Sequence, residues 1–178
     1  MRFAVTAGRK GSGDLLTAAK EWATHFDVPY IERASKGSLE ELRQQNNLDA
    51  ILVATADGPQ IYNNEGTFFY HPGMAVLRLQ RLKNNEHDHF AQALELREGM
   101  RVLDGTLGLA GDAAIASYLV GEKGKVVGVE ASILLHFVVE NGLRSYAAED
   151  PDLTNALRRI KTVQATAEEY LETCEADS

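Results

Sequence analysis

Three carboxylates around a run of small residues carry the clearest chemical potential in the chain. Asp104 closes the apolar run Val102-Leu103-Asp104, and the chain then passes through Gly105-Thr106-Leu107-Gly108-Leu109-Ala110-Gly111 before restarting at Asp112-Ala113 as an alanine-rich helix. Glu130 closes the next apolar run, 26 residues after Asp104. Glycines remove side chains where a ligand approaches the backbone, and the free amides of a helix start provide local positive potential. A carboxylate at the end of a second parallel strand is placed to accept hydrogen bonds from two ribose hydroxyls.

These residues need a scaffold that brings strand ends together. From Gly99 onward the pattern predicts a strand at 101–104, a helix at 110–119, a strand at 125–130, a helix at 133–143, a loop leading into a short helix at 154–159, a strand at 160–164 and a last helix at 167–174. This βαβαβα series implies a Rossmann-like parallel sheet with right-handed crossovers. In such a sheet ligands settle beyond the carboxyl ends of the strands, where Asp104 and Glu130 fall. Two carboxylates there suit a ligand with an amino-acid end and a ribose better than a pyrophosphate, which favours S-adenosyl-L-methionine over NAD.

Upstream, a small α/β region is expected: a strand at 3–6, a helix capped by Asp14 to about residue 25, a weak strand at 29–32, and a Ser38-capped helix at 39–45. A buried strand at 48–55, a hairpin of 59–63 and 67–70, and helices at 73–82 and 86–94 follow. The boundary between the N-terminal region (1–97) and the Rossmann-like half-domain (98–178) is placed near Arg97 to Gly99.

The 178 residues, 44% of them hydrophobic, suffice for a real core. A net charge of −8 argues against a surface that binds nucleic acid throughout, although it leaves room for a local basic patch. The single cysteine, Cys174, excludes an internal disulfide, no apolar stretch reaches bilayer length, and the start lacks a signal-peptide run; a cytoplasmic protein is expected.

Val102 to Ala113, together with Gly124-Lys125-Val126-Val127-Gly128-Val129-Glu130-Ala131, resembles the first two motifs of class I S-adenosylmethionine-dependent methyltransferases. The pattern of Asp104, Thr106, Gly108, Asp112 and Ala113 is further similar to the bacterial small-subunit rRNA guanine-N2 methyltransferases, and the likeness extends upstream through Tyr62 to Leu82. The resemblance implies a methyltransferase with S-adenosyl-L-methionine as cofactor and RNA, at ribosomal guanine, as substrate. It places Asp104, Gly105, Thr106 and Gly108 in the cofactor turn, Gly111 and Asp112 at the methionine end, Glu130 and Ala131 at the ribose, and Thr166 and Ala167 near the adenine. Ala110 stands where the usual loop has its second glycine, Thr166 where many relatives have an acid, and Val76-Leu77-Arg78 where the rRNA enzymes have His-Arg-Arg. No catalytic residue and no metal ligand is assigned. A Rossmann-like nucleotide- or phosphate-binding module without catalysis, and a small-molecule methyltransferase, are the alternatives.

The class I sheet has about seven strands, and the next expected one carries an Asp-Pro-x-Phe-Pro-like motif; the chain ends before it. The strand at 101–104 is therefore expected to have one bare edge, which invites pairing. Strands from residues 1–70, a second copy of the chain in a homodimer, or a longer protein of which these residues are a piece would each cover it, and the longer protein is the reading carried forward. Other motifs are weaker. Ala7 to Asp14 (AGRKGSGD) follows a strand and precedes a helix but does not match a P-loop. Arg78, Arg81 and Lys83 recur about a turn apart and could form a basic face. His87-x-His89 has the wrong spacing for a metal on one helical face, and Phe68 to Tyr70 reads as core rather than a base-stacking platform.

Overall fold

The computed structural model describes residues 1–8, 13–34 and 36–174. The chain divides into two compact units, Met1–Tyr70 and His71–Ser178.

The N-terminal unit is built on a four-stranded sheet in the order β1-β2-β3-β4, with β1 (Phe3–Ala7), β2 (Ala50–Thr55), β3 (Gly58–Asn63) and β4 (Gly66–Phe69). β1 and β2 are parallel; β2, β3 and β4 form an antiparallel meander. The wholly apolar face pattern of Ala50 to Ala54 makes β2 the buried centre, and Ala4, Leu42, Leu48, Ile51 and Val53 form a core cluster around it. The hairpin turns on Asn64-Glu65, because Asn63 pairs directly with Gly66, whose φ of +129° suits glycine. α1 (Gly13–His25) packs on β1 and β2; Asp14 lies inside its first turn rather than at its cap. α2 (Leu39–Gln45) starts as expected, with a capping box in which Glu41 N–H donates to Ser38 Oγ and Ser38 N–H donates to the Glu41 carboxylate. The expected strand at 29–32 reduces to one parallel bridge, Val5 to Tyr30. Proline at position 29 has no N–H to give a ladder, so pairing does not propagate.

The C-terminal unit begins with two helices, α3 (Ala75–Lys83) and α4 (His89–Ala93). Both pack on the helix that follows the glycine turn, which is why the chain divides after Tyr70 and not near residue 97. A three-stranded parallel sheet follows in the order β5-β6-β7, with β5 (Arg101–Asp104), β6 (Lys125–Glu130) and β7 (Lys161–Gln164). Between the strands run α5 (Gly111–Val120), α6 (Ile133–Ser145) and α7 (Pro151–Arg159), and α8 (Ala167–Glu172) ends the series. α5 is the centre of this core: Ala113 to Ser117 and Val120 are all buried, with α3, α4 and α7 against it as well as the sheet. The Ser117 hydroxyl donates to Ala156 O at 2.7 Å, so even the buried polar group of α5 is paired. α7 starts three residues earlier than expected. Asp150 caps it, accepting from Asp152 N–H, and Pro151 occupies its first turn, where a missing N–H costs nothing.

The sheets of the two units are separate, so β1 to β4 do not extend the β5-β6-β7 sheet. β5 pairs with β6 alone, and Leu103 stays 40% exposed.

Candidate functional site: the glycine turn after strand β5

The turn between β5 and α5 is held from several sides. Asp104 folds back on it, its carboxylate accepting from Thr106 N–H at 3.1 Å. Leu107 N–H donates to Val129 O at 2.8 Å, and the Leu107 side chain, 3% exposed, lies on Gly128. A Cβ at Gly128 would sit 2.3 Å from Leu107 Cδ1, so the glycine of β6 is what lets the turn settle onto the strand. Gly108 and Ala110 both adopt left-handed conformations, with φ of +49° and +60°. Gly105 approaches the third βα turn closely: a Cβ there would be 3.2 Å from the Ala167 methyl. Gly111 differs, because a Cβ there would meet nothing within 4 Å. That open space lies at the first turn of α5.

Glu130 links the strand ends. Its carboxylate accepts from Gly108 N–H at 3.2 Å and from Ser132 N–H at 2.9 Å. The carboxylate is thereby fixed at the mouth of the turn before any ligand arrives. Ala131 O accepts from the Gln164 side-chain amide at 3.0 Å, and Ala165 N–H donates to Glu130 O, which ties the ends of β6 and β7 together. Thr166 caps α8 in a reciprocal capping box with Glu169: its hydroxyl accepts from Glu169 N–H, its own N–H donates to the Glu169 carboxylate, and its carbonyl accepts from Tyr170 N–H.

The structure thus brings Asp104, Gly105, Thr106, Gly108, Gly111, Asp112, Glu130, Ala131, Thr166 and Ala167 to the carboxyl end of one sheet. Three carboxylates share this region. Burial, and then the charges of Asp112 and Glu130, push the Asp104 carboxyl above its ordinary value, partly offset by the Thr106 N–H. The accumulated negative charge suits a cationic ligand.

Arg78 is a site residue that sequence reasoning placed elsewhere. It donates to Asp112 at 2.6 Å and, through two nitrogens, to Asp88 at 2.7 and 3.0 Å. Nothing local marks this contact, since Arg78 and Asp112 lie 34 positions apart. The companion cations are also met by acids: Lys83 by Asp150 at 2.7 Å and Asp152 at 2.6 Å, and Arg81 by Glu86 at 4.0 Å. The basic face these residues could have formed is therefore largely neutralised. The loop of Ala7 to Asp14 has Arg9 to Ser12 outside the described residues. Among the described residues no three His, Cys, Asp or Glu side chains converge as metal ligands, and no helix is long and apolar enough to cross a membrane.

The all-parallel β5-β6-β7 sheet, with its glycine turn after β5 and its acid after β6, gives the C-terminal unit a Rossmann-like α/β arrangement. The family model for protein-L-isoaspartate(D-aspartate) O-methyltransferase matches residues 83–166. The chain is 34% identical over 168 residues to the uncharacterized protein YpiP of Bacillus subtilis (strain 168), a match covering 94% of this chain and 65% of that protein. It is similar in fold to the SAM-dependent methyltransferase NGO1261 of Neisseria gonorrhoeae, with a TM-score of 0.56 and 14% identity over 95% of this chain and 62% of that one. The chain therefore spans somewhat less than two thirds of the length of either protein.

Proposed function

We propose that the chain binds S-adenosyl-L-methionine at the β5–α5 turn and serves a methyltransferase acting on RNA, at a guanine base. The carrying observation is the Glu130 carboxylate, fixed between the Gly108 and Ser132 amides opposite the glycine turn. Its remaining lone pairs are oriented for two vicinal hydroxyls. The open volume over Gly111 accommodates the amino-acid end, and the acidic surroundings favour the positive donor. When bound, the cofactor supplies an electrophilic methyl group. The residues of this chain hold it and orient it, and that positioning is the protein's contribution to rate.

RNA as acceptor rests on the sequence resemblance from Tyr62 to Leu82 and across the cofactor turn. The matched family model covers the cofactor segment, so it speaks to the donor and not to the acceptor. A small-molecule acceptor is the second reading, favoured by the net charge of −8 and by the acids that neutralise Lys83 and Arg78.

Calorimetry with S-adenosylhomocysteine tests the donor site. The expected result is binding that Glu130→Ala weakens by about a hundredfold, the scale of losing hydrogen bonds to a charged acceptor, with the melting transition retained. Absence of binding to the folded chain overturns the reading. Incubation with radiolabelled S-adenosylmethionine and either RNA or a metabolite pool separates the acceptors, and label confined to metabolites rejects RNA.

A further inference from the structure

Arg78 stands out because its guanidinium is divided between two carboxylates of different character. Asp88 is its anchor. That carboxylate is 9% exposed, caps α4 by accepting from Ala91 N–H at 3.0 Å, and engages Arg78 Nε and Nη2 side by side. The Phe90 ring packs against the guanidinium, with its centroid 5.5 Å from Cζ. Such a two-point grip fixes the plane of the guanidinium and directs Nη1 outward. The group that Nη1 meets is Asp112, 56% exposed, in the first turn of α5 beside the open space over Gly111. The buried half of the arrangement is rigid, and the exposed half is free to exchange partners.

A ligand ending in an α-amino acid carries an ammonium and a carboxylate a few ångströms apart. Asp112 and the outward edge of Arg78 are the complementary pair at that spacing, already in contact. We propose that Arg78 is the recognition residue for the carboxylate of the cofactor's amino-acid end, held ready by Asp88 and sharing Asp112 with the ligand ammonium. The proposal rests on the reading of this turn as the S-adenosylmethionine site. On binding, one ion pair between side chains is replaced by two between side chains and ligand. The number of charges at the site stays balanced throughout, which an acidic turn without Arg78 would not achieve.

The test compares S-adenosylhomocysteine with its decarboxylated analogue, which keeps the ammonium, thioether and nucleoside, by calorimetry on the whole chain. In the wild type the analogue binds weaker by on the order of tenfold to a hundredfold, the scale of one charge-assisted bond. Arg78→Gln removes that difference by weakening S-adenosylhomocysteine alone, and Arg78→Lys restores part of it. Glu130→Ala weakens both ligands equally. Equal affinity of the two ligands for the wild type overturns the role of Arg78 while leaving the cofactor site standing, and needs no variant to fold. Equal weakening of both ligands by Arg78→Gln also overturns it, since that marks Arg78 as a support of the turn. Failure of the wild type to bind either ligand removes the cofactor reading and this inference with it.

Discussion

Each unit sends a parallel strand toward a helix, and among the described residues the ends of those strands are built differently. After β5 the turn is bonded to the neighbouring strand at Leu107 and Gly108, and the neighbour ends in Glu130. After β1 the corresponding bond is Gly8 N–H to Ala54 O, but β2 ends in Thr55 and reverses at once into the β2–β3 hairpin. Thr55 spends its hydroxyl on Gly58 O within that reversal. The helices differ in the same sense. α1 buries only Ala19 and Ala23, whereas α5 is enclosed on nearly every side. A glycine turn is thus a common joint. On the proposed reading it becomes a ligand cradle where the adjoining strand end contributes a fixed carboxylate and the following helix is locked in place.

The sharpest way to break this contrast is to unlock the turn after β5. Gly128→Ala places a methyl 2.3 Å from Leu107 Cδ1 and 3.0 Å from its Cγ, within the buried stretch of β6. Leu107 must move, and the turn moves with it. The expected loss is about 1–3 kcal/mol of stability, as for overpacked cores, together with loss of S-adenosylhomocysteine binding. Gly8→Ala, the matched change after β1, brings its methyl to 3.2 Å from Ala54 O and little else. Its effect on stability, measured by urea unfolding, is expected to stay below about 1 kcal/mol, because the close contact is offset by the lower entropy of the unfolded chain. Equal effects of the two substitutions would show that both turns are seated alike.

Asp104 sharpens the contrast through pH. Its folded pKa lies above the unfolded value, chiefly from burial and then from Asp112 and Glu130. The folded chain therefore holds this proton more tightly than the unfolded chain. Its contribution to stability is greatest below the unfolded pKa and declines as pH rises through the folded pKa. Asp104→Asn is expected to raise the melting temperature at neutral pH, to flatten that decline, and to weaken cofactor binding. A stability profile identical to wild type across the acidic range would remove the carboxylate cluster from the account. No matching effect is expected at the N-terminal unit, where the Glu40 carboxyl is instead held down to about 2, mainly by its hydrogen bonds from Arg43. That pair gives stability that is lost as pH falls, the opposite sign.

Much of this was legible in the sequence because it is local. The strands at 101–104 and 125–130 and the helix after Ser38 follow from periodicity and capping residues whose partners lie within four positions. The grouping of Asp104, Asp112 and Glu130 followed from the rule that parallel strands share a carboxyl end. Two features were not legible, each for a reason of distance. Arg78 reads as part of a basic helix face until the fold sets it against Asp112 and Asp88. The unit boundary falls after Tyr70 because α3 and α4 pack on α5, a contact that no composition shift announces. Thr166, which the family resemblance sets near the adenine, engages its side chain in the local capping box with Glu169.

The smallest expected effect is at Ala110, and it asks whether the turn stores strain. Ala110 sits at φ +60° and ψ +27° immediately before α5, where the usual loop has glycine, and it is 1% exposed. A left-handed alanine costs about 1–2 kcal/mol relative to its preferred conformation. Ala110→Gly relieves that cost but removes a buried methyl, about 0.8 kcal/mol, and adds backbone entropy to the unfolded chain, about 0.5–1 kcal/mol. The terms nearly cancel, so chemical denaturation is expected to place the variant within about 1 kcal/mol of wild type. A larger gain would show that the methyl packs poorly and that the strain is retained to shape the cradle. A larger loss would show that this methyl, wedged beneath the start of α5, holds the turn closed, and the glycine of the usual loop would then be a worse choice for this chain than alanine.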